Sequence, residues 1–159
     1  YLKCSWGIFP LNYFLSKKIS NNLGDDGSTD QTLEIAKKSA KEKGYAETYY
    51  GRRRYLPELN DAKANIRAFG ERVAMNMPIQ GTAADIIKLA MVNVYKRLKA
   101  EKLESRLILQ VHDELICECP EHEAETVKRI LCEEMENAAA LSVPLTAESK
   151  IGHNWAEVH

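Results

Sequence analysis

The triplet His112-Asp113-Glu114 lies between two short runs that are rich in β-branched and other apolar residues. Such runs on either side of a polar centre predict an antiparallel hairpin with the triplet at its tip. Two adjacent carboxylates on a solvent-facing hairpin offer the oxygen donors that a hard cation such as Mg²⁺ prefers. A histidine beside them can donate to a phosphate or sugar oxygen. The alternative interpretation is an ordinary solvated turn, because turns favour polar residues.

A second set of polar residues, Arg72, Asn76 and Gln80, recurs every four positions. On a continuous helix, residues four apart are neighbours, so the three would form one polar stripe. Their side chains are of the types that read base edges and minor-groove acceptors in DNA. Neighbouring apolar residues predict a buried segment, in which polar side chains would need partners. These apolar residues are Val73, Met75, Met77 and Ile79. An exposed helix face is the alternative.

A third candidate is the basic run Arg52-Arg53-Arg54, which follows Gly51 and precedes Tyr55. Guanidinium groups bind phosphates in a bidentate manner, and an adjacent aromatic ring can stack on a base. A solvated basic turn without a ligand is an equally open interpretation.

The elements that must position these residues follow from the hydrophobic periodicity and from the Pro and Gly positions. Helices are predicted over residues 31–43, 62–77, 82–102 and 121–141, the second of them broken by Pro78. Strands are predicted over residues 106–110, 115–119 and 145–151, with a short strand or extended arm over 45–50. Helices that alternate with an antiparallel hairpin and a further strand indicate an α+β fold.

Composition excludes several classes of protein. The chain has 159 residues, of which 45% are apolar and 28% charged, so a packed core is expected rather than disorder. The most apolar early stretch, residues 6–15, is too short to cross a bilayer and lacks a cleavage signal, so no membrane partner is expected. The four cysteines include no Cys-x-x-Cys pair, which disfavours zinc and disulfide frameworks and favours a cytoplasmic location.

The net charge of −1 conceals an uneven distribution along the chain. Up to Arg72 there are thirteen basic and nine acidic residues, and beyond it nine basic and fourteen acidic ones. A basic half beside an acidic half is compatible with a surface for a polyanion, although it does not require one.

Taken in order, several motifs resemble the C-terminal part of the bacterial family A DNA polymerases, the DNA polymerase I type. The resemblance runs from Gly-Arg-Arg-Arg-Tyr-Leu-Pro-Glu-Leu at residues 51–59 through Glu-Arg-Val-Ala-Met-Asn-Met-Pro-Ile-Gln-Gly-Thr-Ala-Ala-Asp-Ile-Ile-Lys at 71–88. It continues with Leu-Gln-Val-His-Asp-Glu-Leu at 109–115 and ends with Gly-His-Asn-Trp at 152–155. It covers roughly 110 residues, too many collinear matches for chance.

The resemblance implies an α+β fold whose incomplete antiparallel palm-type sheet, the catalytic hairpin plus a further strand, packs against helices. It implies three segments: residues 1–30 as a poorly matching, degenerate remnant of the fingers, 31–60 as a basic helix and arginine-rich segment at the fingers–palm junction, and 61–159 as the C-terminal part of the palm. The chain begins at Tyr1 rather than Met, which also indicates a fragment. A palm sheet without its other strands would leave an exposed edge, which argues against independent folding.

The resemblance also implies roles for individual residues. Asp113 would be a ligand of two catalytic Mg²⁺ ions, Glu114 the adjacent acid, and His112 a contact to the primer end. Arg72, Asn76 and Gln80 would line the minor groove near the primer terminus. The run Arg52, Arg53 and Arg54 would lie beside the DNA, whereas the acidic helix over residues 121–141 would face away from it. The implied partners are primer–template DNA and deoxynucleoside triphosphates (dNTPs), bound by a monomer.

Two residues that such an enzyme requires are not recognisable in the sequence. They are a second palm aspartate and the fingers lysine that holds the incoming nucleotide. The expectation is therefore half a metal site in a chain that does not polymerise alone, which leaves a non-catalytic DNA-binding remnant as the main alternative. A remote enzyme alternative is a nucleotide-sugar glycosyltransferase, suggested by Asp-Asp-Gly-Ser-Thr-Asp at residues 25–30. The polar residues 17–22 before that motif do not form the hydrophobic strand that it normally follows.

Overall fold

The computed structural model describes residues 2–6, 29–141 and 144–158. They form two compact units, and the division between the units falls inside one helix, between Asp85 and Ile86. The strands are β1 (Leu2–Trp6), β2 (Tyr45–Glu47), β3 (Arg53–Tyr55), β4 (Arg106–Val111), β5 (Glu114–Glu118) and β6 (Ala147–Ile151). The α-helices are α1 (Thr29–Lys43), α2 (Ala64–Asn76), α3 (Thr82–Ala100), α4 (Ala124–Glu136) and α5 (Trp155–Val158). A π-helical turn, Met77–Gly81, joins α2 to α3, and short 3-10 turns cover Pro57–Asn60 and Glu121–Glu123.

The unit that contains residues 86–158 is built on a four-stranded sheet in the order β4-β5-β1-β6. All three pairings are antiparallel, as the sequence predicts for the β4–β5 hairpin and for an α+β fold. A register irregularity between Leu107 and Leu109 bulges β4 at the outer edge of the sheet. A bulge of this kind bends an edge strand and hinders its pairing with another chain.

Strand β1 was not foreseen from the sequence, which predicted only the hairpin and one further strand. It lies between β5 and β6, with Cys4 opposite Leu115 on one side and Ser149 on the other. The sheet therefore has one strand more than expected, and that strand comes from the segment interpreted as a remnant of the fingers. Residues 7–28 of that segment, which include most of the proposed nucleotide-sugar motif, lie outside the described residues.

The core of this unit buries β5 and the apolar stripes of α3 and α4. Leu115, Ile116 and Cys117 are consecutive and all buried, which shows that β5 is covered on both faces. Burial raises the pKa of the Cys117 thiol to about 12. Helix α4 packs against β1 and β6. Among the described residues, no helix is both long enough and apolar enough to cross a membrane.

Arg97 on α3 binds three carboxylates and so connects α3 to α4. Its guanidinium lies 2.6 Å from Glu133 and 2.9 Å from Glu134 on α4, and 3.0 Å from Glu101 just beyond the end of α3. These hydrogen bonds raise the pKa of Arg97. Much of the acidic excess of α4 is therefore paired within the fold.

The buried carboxylate of Glu123 fixes the chain where it enters β4. It accepts hydrogen bonds from the backbone N–H of Glu104 and of Ser105, both at 3.0 Å, and from the Ser105 hydroxyl. The hydroxyl bond and then the backbone bonds lower the pKa of Glu123, because they favour the ionised form.

Glu123 is therefore expected to make stability depend on pH. The folded-state pKa lies below the unfolded value of about 4.3, so the stabilisation is complete above that value and is lost as pH falls through the folded pKa. Glu123→Gln should lower the stability of the protein at pH 6. The difference in stability between the variant and the unchanged protein should become smaller towards pH 3. Urea midpoints measured over that range test this. The exposed Glu125→Gln serves as control, and a constant difference at all pH values would contradict the assignment.

The second unit packs α1, the β2–β3 hairpin and α2 around a small cluster of buried residues. The cluster comprises Ala40, Ala46, Leu56, Leu59 and Ala74. Helix α1 ends where predicted: Gly44 has φ +76°, and its N–H donates to the Ala40 carbonyl at 2.8 Å. The stretch predicted as a short strand or extended arm begins with the short strand β2. This strand forms a hairpin with β3, in which Tyr45 pairs with Tyr55 and Glu47 with Arg53.

The predicted helix break at Pro78 is wrong. Pro78 lies inside the π-helical turn, and the chain remains helical from Ala64 to Ala100. Proline lacks the N–H that an α-helical bond would use, so the ladder of hydrogen bonds must change there. A single π turn, with its wider ring, accommodates this change without ending the helix. Gln80 is carried by this turn.

Candidate functional site

The tip of the β4–β5 hairpin is a two-residue turn formed by His112 and Asp113. Val111 pairs with Glu114 across the base of the turn. His112 has φ +52°, and the Gln110 side chain donates to the His112 carbonyl at 2.5 Å. A positive φ is uncommon for a residue with a side chain, and such backbone conformations concentrate at functional sites. The hairpin and its polar tip agree with the sequence prediction.

The two neighbouring carboxylates of this tip have different environments. Asp113 is exposed in the turn, and its side chain makes no hydrogen bond or ion pair with the described residues. Glu114 is half-buried as the first residue of β5, where it lies opposite Val111 of β4 and Ser5 of β1. The sequence prediction placed both carboxylates on strands facing solvent, whereas only Asp113 is fully exposed.

This donor set fits part of a magnesium site. Mg²⁺ is commonly bound through one or two carboxylates together with waters and substrate phosphates, and the hairpin offers two such carboxylates. No group of three or more His, Cys, Asp or Glu residues that could hold a metal occurs in the described parts of the chain. Asp113 and Glu114 could thus hold a metal ion only with ligands from phosphates, water or other residues.

The polar stripe of Arg72, Asn76 and Gln80 lies in the other unit, on α2 and the π turn. All three residues are exposed, and their side chains make no hydrogen bonds with the described residues. The guanidinium of Arg72 lies 6.0 Å from the ring centroid of Phe69. The prediction that this segment is buried is wrong, because its apolar neighbours are only half-buried and the stripe faces solvent. Three free donors on one surface are available to a ligand.

The three consecutive arginines have different partners. Arg52 is bound within the protein, 2.7 Å from Asp85 and 2.9 Å from the Gly81 carbonyl. Arg53 lies 2.6 Å from Glu47 and stacks over the Tyr45 ring at 4.6 Å. Arg54 is exposed, and its side chain forms no hydrogen bond or ion pair with the described residues. Of the three, Arg54 is therefore the one with a guanidinium available to a phosphate.

The structure groups the predicted residues within each unit. Arg52, Arg53 and Arg54 share one unit with the polar stripe, and the His112-Asp113-Glu114 turn belongs to the other. Sequence reasoning missed the contribution of Asp85 and Thr82, which lie in a quoted motif but were given no role. Thr82 is fully buried, yet its hydroxyl accepts from the Tyr49 N–H at 2.9 Å and donates to the Pro78 carbonyl at 2.5 Å.

The family model described as DNA polymerase family A matches residues 27–157. The DNA polymerase I of Caldicellulosiruptor bescii is 50% identical over 125 residues, which cover 79% of this chain and 15% of that protein. The DNA polymerase I of Bacillus subtilis is 51% identical over 123 residues, or 77% of this chain and 14% of that protein. This chain thus spans only about 15% of the length of these relatives.

Among solved structures, the chain is similar to the POL domain of Pol1 from M. smegmatis in complex with DNA primer-template and dNTP. The TM-score is 0.86 at 28% identity, over 99% of this chain and 40% of that one. These matches are to polymerases, so the glycosyltransferase alternative is not supported. The length of the family match, the level of identity and the shared fold lead to one conclusion: the chain belongs to the family A DNA polymerases.

Proposed function

We propose that this chain supplies the hairpin carboxylates and the minor-groove residues of a DNA-directed DNA polymerase. The whole enzyme would transfer nucleotides from dNTPs to a primer 3′-hydroxyl, as the template directs. The observation that carries the proposal is the exposed turn of the β4–β5 hairpin, which presents Asp113 without a described partner in a chain of this family. The solved relative in complex with primer-template and dNTP supports the same partners here.

Asp113 and Glu114 are the residues that would hold Mg²⁺, as two carboxylates at one hairpin tip. When bound, the metal would neutralise charge on the phosphoryl group during transfer. His112, exposed in the same turn, would donate a hydrogen bond to the primer end. Because phosphoryl transfer depends mainly on positioning and charge compensation, a rigid two-residue turn between paired strands is a suitable support.

The polar stripe would contact the minor groove near the primer terminus. Every correct base pair presents acceptors at similar places in that groove, so donors there respond to pair geometry and hardly to sequence. Arg72, Asn76 and Gln80 are donors on one exposed surface. Arg54 would contact a phosphate beside them. Because the partner would be chromosomal DNA, the proposed location is the cytoplasm. The proposed oligomeric state is a monomer.

For the chain by itself, we propose DNA binding without catalysis. Two-metal transfer generally uses carboxylates from more than one strand. Strand β1 runs beside β5 at the hairpin, but residues 2–6 contain no carboxylate. This arrangement supports the non-catalytic alternative for the isolated chain while leaving the polymerase proposal for the whole protein intact.

The isolated chain is expected to bind a primer–template duplex with an affinity that falls steeply as salt rises, since phosphate contacts release counterions. Arg54→Ala should weaken binding and reduce the slope of log affinity against log salt by about one. Fluorescence anisotropy with a labelled duplex at several salt concentrations measures both quantities. Adding dNTPs and Mg²⁺ to the same samples should give no primer extension.

Arg129→Ala is the matched control, because Arg129 lies on the acidic helix α4, where its guanidinium is 3.5 Å from Glu133. This substitution should leave the salt slope unchanged. Binding that does not vary with salt would exclude a phosphate contact. Template-dependent extension by the isolated chain would contradict the proposal that it lacks the second metal-binding carboxylate.

A further inference from the structure

Three hydrogen bonds attach the turn that connects β2 to β3 to the π-helical turn and the first turn of α3, and a fourth lies within the helix; we call the four bonds the latch. Arg52 Nε donates to Asp85 Oδ1 at 2.7 Å, and Arg52 Nη2 donates to the Gly81 carbonyl at 2.9 Å. The Tyr49 N–H donates to Thr82 Oγ1, which itself donates to the Pro78 carbonyl at 2.5 Å. The latch thus engages two carbonyls of the segment Met77–Gly81.

These two carbonyls bracket Gln80. Each of these carbonyls accepts a hydrogen bond from a side chain. The Thr82 hydroxyl binds the carbonyl of Pro78, and Arg52 binds that of Gly81. The backbone on either side of Gln80 is therefore held, although the Gln80 side chain is exposed and makes no hydrogen bond with the described residues.

Packing holds the same segment. A Cβ at Gly81 would lie 2.7 Å from Thr48 Cγ2 and 3.1 Å from the Met77 sulfur, so the β2–β3 turn approaches the π turn too closely for a larger residue. Thr48 is buried, and its hydroxyl accepts from the Arg52 N–H at 3.2 Å. The turn that carries Arg52 is thus ordered by its own bonds.

Asp85 makes the latch sensitive to charge. Its side chain is only 13% exposed, and Oδ2 is buried without a partner among the described residues. Arg52 is therefore the cation that compensates a poorly hydrated carboxylate. Arg52 is itself 44% exposed, but two of its three guanidinium nitrogens are engaged within the protein.

We propose that Arg52 is a positioning residue, which acts through Asp85 and the Gly81 carbonyl to hold Gln80 in place for the primer-terminal base pair, and that it does not grip DNA. The effect of Arg52 on the discrimination between base pairs rests on the proposed minor-groove role of Gln80. The effect of Arg52 on the order of the π turn does not rest on it. Thr82 supports the same backbone from the Pro78 side.

Arg52→Lys separates the two roles. Lysine keeps a positive charge that can contact a phosphate, but it cannot span Asp85 and the Gly81 carbonyl with a planar fork. A positioning role predicts that Arg52→Lys lowers the preference for matched over mismatched primer termini by about three- to tenfold, with an unchanged salt slope. Asp85→Asn should have the same effect, and the double variant should be no worse than either single one. Anisotropy with matched and mismatched duplexes measures this.

A phosphate-gripping role predicts different results. Arg52→Lys would lower the affinity for matched and mismatched duplexes alike and leave their ratio unchanged, because lysine contacts a phosphate only as a point charge. Asp85→Asn would release Arg52 to the DNA and steepen the salt slope. Either result would overturn the proposal. Arg129→Lys on α4 is the matched control and should retain both discrimination and slope.

Amide hydrogen exchange in the free chain tests the latch without DNA. Arg52→Lys and Asp85→Asn should accelerate exchange of residues 79–82 by about tenfold or more. Unchanged exchange would refute the latch, whereas faster exchange without any change in discrimination would refute the role of Gln80. If these variants do not fold, Thr82→Val, which lacks the hydroxyl, is compared with Thr82→Ser, which retains it. Faster exchange is expected only for valine, and equal exchange would refute the latch.

Discussion

Asp113→Asn is expected to lower primer extension by at least about 1,000-fold, or about 4 kcal/mol of transition-state stabilisation. The protein for this measurement is a chimera in which residues 27–157 of this chain replace the equivalent residues of the Bacillus subtilis DNA polymerase I. Asparagine keeps the shape of the side chain but removes the anionic oxygen that a hard cation prefers. Asp113 is exposed and has no described partner, so the loss should reflect chemistry and not unfolding.

Glu118→Gln on the same strand is the matched control. Glu118 is exposed at the far end of β5, where it pairs with Arg106, and its charge lies away from the turn. Single-turnover extension at saturating dNTP and Mg²⁺ should be unchanged by this substitution. Extension by the Asp113→Asn chimera within tenfold of the unsubstituted one would exclude a metal-ligand role. A folded but inactive unsubstituted chimera would count against the proposed function itself.

The hairpin that carries Asp113 could be predicted because its pairing is local. Two apolar runs of strand length on either side of a polar triplet leave a single register that buries Leu115 and Cys117 together. The first observed strand, Arg106–Val111, ends one residue later than predicted, and the second, Glu114–Glu118, begins and ends one residue earlier. The helix stripe from Ile87 to Leu98 was recognisable in the same way, from its 3.6-residue period.

Strand β1 could not be placed from the sequence because its partners lie more than 100 residues away. Its signal was present but short: Leu2, Cys4 and Trp6 alternate with Lys3 and Ser5, as in a strand with one buried face. Five alternating residues do not specify which strands they join. That β1 pairs with both β5 and β6 becomes apparent only in the folded sheet.

The latch was unpredictable for a related reason. Arg52 and Asp85 are 33 residues apart, and neither the basic run nor the helix around Asp85 indicates the other. From composition alone, Arg52, Arg53 and Arg54 could not be told apart. Tertiary contacts distinguish them, because Arg52 and Arg53 bind carboxylates within the fold, whereas Arg54 has no such partner in the part of the chain that the structure describes.

Ile116→Ala is expected to lower the free energy of unfolding of the sheet-containing unit by about 3 kcal/mol, within the usual range of about 2–5. Ile116 is 1% exposed on β5, opposite Leu109 of β4 and Lys3 of β1. Truncation would leave a cavity beneath the strand that supports the turn of His112 and Asp113. Both tryptophans, Trp6 and Trp155, belong to this unit, so tryptophan fluorescence during urea unfolding reports on it selectively.

Ile108→Ala is the control, since it removes the same atoms from the neighbouring strand at a residue that is 46% exposed. Exposed truncations usually change stability by less than about 0.5 kcal/mol. Because folded domains are stable by only about 5–15 kcal/mol, the loss at Ile116 would also loosen the turn that holds Asp113. In the chimera, Ile116→Ala should therefore impair extension more as temperature rises, while Ile108→Ala should not. Equal destabilisation by the two variants would mean that β5 is not the buried strand of this sheet.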